Sequence, residues 1–122
     1  DLMRLDDVAT LSVPIAEEMF DTGFNAGQAT VVRFLQRFLN VANRQQRDYA
    51  DVHVDGLMGR LTVSMLAAFL RHRGHIGETV ALRALNCLQG AYYIELAERR
   101  EKDEQFVFGW ILNRVRITGE TQ

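Results

Sequence analysis

Apolar residues recur three or four positions apart along almost the whole chain, and that period fits helices and not strands. The single proline, Pro14, also speaks against a loop-rich all-β domain. Ser12 and Pro14 mark a helix start, with Glu17 and Glu18 in the first turn where the helix dipole favours negative charge. Ile15, Met19, Phe20, Gly23 and Phe24 form its apolar stripe, and Asn25-Ala26-Gly27 ends it. A second helix is expected from about Gln28 to Leu39, with Val31, Phe34, Leu35, Phe38 and Leu39 inward.

The polar stretch from Asn40 to His53 has no periodicity and reads as an exposed, mobile connection. Asp55-Gly56 marks a tight turn, and Gly59 precedes a helix from about Arg60 to Arg71 built on Leu61, Met65, Leu66, Phe69 and Leu70. Gly74 and Gly77 bracket its exit. The longest periodic segment runs from about Gly77 to Lys102, with Val80, Ala84, Leu88, Ala91, Tyr92 and Leu96 as its stripe. A last helix is expected over about Glu104 to Val115. The expectation is one all-α domain over residues 1–122, with about five helices and no internal repeat.

Composition narrows the chemistry. With 48% hydrophobic and 25% charged residues, the chain has the balance of a folded domain and not of a disordered one. The formal charge of −2 argues against a nucleic-acid partner for the basic residues Arg33, Arg37, Arg44 and Arg47. Charges interrupt every apolar run before the roughly 18 residues of a membrane span. His53, His72 and His75 lack the spaced third and fourth ligands of a zinc site, so no metal and no cofactor is expected. Cys87 has no adjacent base and reads as an inert thiol.

Two features remain for function. The acidic pairs Glu17/Asp21 and Glu95/Glu98 lie one helical turn apart, the arrangement from which carboxylate chemistry on a glycan is built, although most such pairs are solvated surface. Asp21 is the more interesting member, next to Phe20 and one turn before Asn25. Phe106, Phe108, Trp110 and Ile111 form an apolar cluster large enough to dock a partner or a second copy of the chain.

Three ordered stretches resemble a known family. Phe20-Asp21-Thr22-Gly23-Phe24-Asn25-Ala26-Gly27, followed by Ala29 and Phe34-Leu35-Gln36, is similar to the FDxxxNxG…A…LQ segment of the secretion-activator type N-acetylmuramidases (glycoside hydrolase family 108). Val54-Asp55-Gly56-Leu57-Met58-Gly59 with Leu61-Thr62 resembles the DGxxGxxT turn of that family's C-terminal peptidoglycan-binding region. Phe108-Gly109-Trp110 with Asn113-Arg114-Val115 resembles its closing GWxxRv motif.

The resemblance implies a helical, lysozyme-like lobe of a bacterial or phage enzyme that cuts the glycan of peptidoglycan at the periplasm or cell wall. The family's proposed catalytic glutamate belongs to a Glu-Gly-Gly-Tyr type segment that this sequence lacks. The expectation is therefore a chain with no catalytic residue of its own, either separated from its catalytic lobe or binding without cutting. Asp21 and Asn25 would then bond sugar hydroxyl or acetamido groups, with Phe24, Tyr92 or Tyr93 as the apolar wall. Gly27, Asp55, Gly56, Gly59, Thr62, Trp110 and Arg114 carry the motifs. The turn residues among them read first as turn formers, with direct ligand contact as the alternative, and Trp110 reads as an anchor for the last helix. A non-catalytic interaction or dimerisation domain is the alternative to the muramidase reading.

Overall fold

The computed structural model describes residues 2–116. Among them the chain forms α1 (Leu5–Leu11), α2 (Val13–Ala26), α3 (Gln28–Val41), α4 (Arg60–Arg99) and α5 (Glu104–Arg114), with one 3₁₀ turn at Glu101–Asp103 before α5. The architecture is all-α and contains no strand among these residues. No helix among them is long and apolar enough to cross a membrane.

The helices among the described residues number five, but they are not the five read from the sequence. α1 carries no long periodic pattern, and a seven-residue helix is marginal in isolation. Val8 holds it in place, being fully buried against the core; such burial contributes about 1.5–2 kcal/mol. Ser12 ends α1 and starts α2: its backbone N–H donates to Val8 O, and its Oγ accepts from Ile15 N at 3.2 Å. The two segments expected around Gly74 form one continuous run with a break at that residue, whose φ of 65° and ψ of −150° suit glycine alone. Gly77 lies inside the second arm and is buried.

The buried face of that second arm also differs from the expected one. Gly77, Ala81, Leu85, Gln89, Tyr93 and Ala97 face inward at four-residue spacing, whereas Val80 is half-exposed and Ala91 exposed. The arm has apolar residues on two sides, and Asn86 and Gln89 on the inner one weaken its hydrophobic signal. On α2 the inner face is Ile15, Ala16, Met19, Thr22 and Gly23, which turns Phe20 and Phe24 outward.

The connection between α3 and α4 is not the loose segment its polarity predicts. Asn43, Tyr49 and Val52 are buried within it. Tyr49 donates its hydroxyl to Leu39 O at 2.8 Å, and Asn40 exchanges two hydrogen bonds with the Val52 backbone, at 2.7 and 2.8 Å. Arg44, Gln45 and Gln46 follow one another in the left-handed region, an unfavourable run for residues with a Cβ. Side-chain bonds hold it: Asn43 Oδ1 accepts from Gln46 N, and the Arg44 guanidinium grips the Asp48 carboxylate.

Gln36 joins this connection to the helices. It is 1% exposed on α3, and its amide makes five hydrogen bonds. Nε2 donates to Asp55 Oδ1, Leu57 O and Thr62 Oγ1 at 3.1–3.2 Å, and Oε1 accepts from the Asp55 and Gly56 backbone N–H groups. Asp55 Oδ1 also accepts from Leu57 N at 2.9 Å, and these bonds hold the Asp55 carboxyl below its ordinary range. Gly56 needs its φ of 77°, and a Cβ there would come within 3.2 Å of Ala29 O. The LQ and DGxxGxxT stretches thus meet in a single polar knot. Gln36→Leu strands the buried amides of the turn and is expected to cost on the order of 3 kcal/mol. Thr62→Val, which removes one acceptor, is expected to cost about 1 kcal/mol. Urea unfolding of the two variants checks that order.

Candidate functional site

α2 carries side chains that open onto solvent along a furrow of the domain. Glu18, Asp21 and Asn25 follow one another at intervals of three and four, which places them along one helix face. Ser12 fixes the start of that helix and ties it to α4, donating its hydroxyl to Glu78 Oε2 at 2.6 Å. Asn25 Nδ2 donates to Asp21 O at 3.0 Å, and Thr22 Oγ1 donates to Glu18 Oε2 at 2.8 Å. Burial pushes the Glu18 carboxyl above its ordinary value. The hydrogen bonds from Thr22 and Asn86 and the charge of Arg116 oppose that rise, and the Asp21 charge adds to it.

Two cavities meet along this face. The larger, about 690 Å³, runs between α1 and α2 and is flanked by Leu5, Ala9, Val13, Pro14 and Phe20. The smaller, about 240 Å³, lies between α2, the middle of α4 and the end of α5, and is lined by Asn25, Gln89, Asn113 and Arg114. Glu18, Asp21 and Arg116 line both, so the two are lobes of one furrow.

Behind Arg114, outside the lining of either lobe, aromatic rings pack together. Tyr93 is buried on α4 with its ring 5.4 Å from that of Trp110, and Phe106 stacks on Trp110 at 5.9 Å. The Arg114 guanidinium lies 5.7 Å from the Tyr93 ring centre and 5.8 Å from that of Trp110. Cation–π contact of this kind fixes the charged group while leaving its edge N–H groups able to donate. Asn86 Oδ1 accepts from Arg116 N at 2.8 Å and holds the chain beyond α5 against α4.

The structure brings Asp21 and Asn25 into this furrow together. It does not bring the expected aromatic wall with them. Phe24 is 82% exposed and pairs with Phe20 at 6.5 Å, and it is Phe20 that lines the larger lobe. Tyr92 lines neither lobe; it packs edge-on to Phe34 at 6.1 Å and to Tyr93 at 5.8 Å. Gly27 joins α2 to α3 with a φ of 106°. Asp55, Gly56, Gly59 and Thr62 belong to the turn bound by Gln36 or flank it, outside the furrow. His72 Nδ1 lies 3.6 Å from Asp48 Oδ1, and His75 Nδ1 lies 3.9 Å from Glu78 Oε1. Cys87 is exposed and lies beside the apolar hollow near Phe38 and Val41.

Glu18, Gln89 and Arg116 escape a reading by motif alone. One signal for Gln89 is present in the sequence: a polar residue within the four-residue row Ala81, Leu85, Gln89, Tyr93 interrupts a face that is otherwise apolar or aromatic. Residues 30–115 match a family model described as Predicted Peptidoglycan domain. No curated protein matches the chain.

The raised Glu18 carboxyl has a measurable consequence. Its folded form holds the proton more tightly than its unfolded form, so its contribution to stability is full below the ordinary glutamate range and is lost as pH rises through the folded value. Glu18→Gln removes that titration. Thermal midpoints measured from about pH 4 to 7 are expected to show the variant gaining on the parent as pH rises; parallel curves would contradict the burial of this group.

Proposed function

The chain belongs to the predicted peptidoglycan domain family, and from that premise we propose that its two-lobed furrow binds the glycan strand as part of a lysozyme-like N-acetylmuramidase. The observation that carries this reading is the convergence of Asp21 and Asn25 with Phe20, Glu18 and Arg116 along one furrow. A saccharide needs such a mixture, with donors and acceptors for its hydroxyl and acetamido groups and apolar surface for the faces of its rings. The motif residues Gln36, Asp55, Gly56 and Thr62 support it indirectly, because they fix α3 against the start of α4.

In the complete enzyme of this proposal, the glutamate that protonates the glycosidic oxygen comes from polypeptide outside this sequence. Asp21 and Asn25 orient the sugar or a water molecule beside it. The chain by itself binds peptidoglycan and cuts nothing, and it works at the periplasm or cell wall of a bacterium or in the service of a phage. Co-sedimentation with purified, insoluble peptidoglycan tests the binding. Asp21→Ala and Asn25→Ala are each expected to weaken retention about tenfold, the effect of losing one good polar contact. Equal retention of both variants and the parent would remove the furrow as the site. Clearing of a cell-wall suspension by the chain alone would show that it carries its own catalytic group.

One observation favours a second reading, that of an interaction domain. Phe108 is 77% exposed, Phe106 and Leu112 are also exposed, and Trp110 and Ile111 are only half-covered. No residue of α5 is fully buried. A homodimer through this face is expected to scatter light at twice the monomer mass, and Phe108→Glu is expected to halve it. A monomeric parent chain would exclude the pairing.

A further inference from the structure

The furrow branches, and its branches differ in chemistry. The larger lobe has apolar flanks at Val13, Pro14 and Phe20. The smaller lobe has only polar side chains, and its volume of about 240 Å³ lies below the ~300–1,000 Å³ of sites that enclose a whole drug-sized ligand. It suits one residue-sized polar group.

The charges around it are divided by element. α2 contributes two carboxyl groups, from Glu18 and Asp21; the end of α5 and the segment after it contribute two guanidinium groups, from Arg114 and Arg116. Between them on α4 lies Gln89, 1% exposed, with Nε2 bonded to the Tyr93 hydroxyl at 3.1 Å. Gln89 Oε1 has no hydrogen-bond partner among the described residues. A buried carbonyl in that condition is costly unless an N–H or O–H from a ligand or water reaches it.

A neutral sugar uses neither sign of charge, whereas an amino-acid group with a free ammonium and a free carboxylate on one carbon uses both. Peptidoglycan is itself branched, since each peptide leaves the glycan strand through the lactyl group of muramic acid. We propose that the smaller lobe is a subsite for the zwitterionic end of a diaminodicarboxylic acid residue in that peptide. Its carboxylate faces Arg114 and Arg116, and its ammonium faces Asp21, Glu18 and Gln89 Oε1. The inference rests on the peptidoglycan-binding reading of the furrow and adds a peptide contact in the smaller lobe to the sugar contacts of that reading.

Calorimetric titration of the chain with three soluble probes tests it. These are the disaccharide of N-acetylglucosamine and N-acetylmuramic acid, the same disaccharide bearing a tripeptide that ends in meso-diaminopimelate, and the same again with the tripeptide ending in lysine. The diaminopimelate form is expected to bind about tenfold more tightly than either other probe, one charge-assisted contact being of that order. Arg116→Ala is expected to abolish the difference between the probes. Arg116 is exposed, and its bond to Asn86 is made by its backbone, so the variant keeps that tie. Gln89→Leu, at a buried position, serves as a second variant, with circular dichroism to confirm that it folds. Equal affinity for all three probes would overturn the peptide subsite and leave glycan binding standing. Equal and tighter binding of both peptide-bearing probes would overturn the zwitterion assignment. Binding of none would overturn this inference and the proposed function together.

Discussion

One side-chain amide holds the first half of this fold to the second. Gln36 substitutes for secondary structure where the chain has none: it receives two backbone N–H groups of the Asp55 turn and donates to a carboxylate, a carbonyl and a hydroxyl. Its position on the inner face of α3 means that the turn cannot shift without exposing or stranding these groups. The start of α4 is therefore set relative to α3 by directional bonds as well as by apolar contact. Everything downstream inherits that placement, including the break at Gly74 and the position of the second arm of α4 beside α2.

The furrow follows from how that second arm is used. Its inner row carries Asn86 and Gln89, and each has a task at the junction of α2, α4 and α5. Asn86 accepts from the backbone N–H of Arg116, which holds the chain after α5 against α4. Gln89 supports Tyr93, and Tyr93 in turn positions Trp110 and Arg114. Polar groups so deep in a small domain cost stability unless they are satisfied. Here most of them are, and the atom left over among the described residues, Gln89 Oε1, belongs to a residue that lines the smaller lobe.

The furrow was legible in the sequence only in part. Asp21 and Asn25 stand out because an acid and an amide one turn apart beside aromatics is a local pattern. Glu18 does not, since a glutamate in the first turns of a helix has an ordinary explanation in the helix dipole. Two of the groups that act on its carboxyl, Asn86 and Arg116, come from far along the chain. The apolar wall was misplaced for a related reason. Periodicity shows that Phe20 and Phe24 share a face of α2, but whether that face meets the core depends on where α3 and α4 pack. Small residues, Ala16, Thr22 and Gly23, took the inner side and left the rings outside.

What the sequence determined by itself was local: the all-α class, the caps at Ser12 and Gly27, the turn at Asp55-Gly56 and the interruption at Gly74. Each is encoded within a few residues, where backbone hydrogen bonding and φ/ψ preference act. What only the tertiary structure decided was which face of each helix lies inside, that α1 exists at all, and that the polar connection before α4 is anchored through Tyr49 and Val52. A seven-residue helix and an aperiodic loop gain their stability from neighbours distant in the chain, and no short-range pattern records those neighbours.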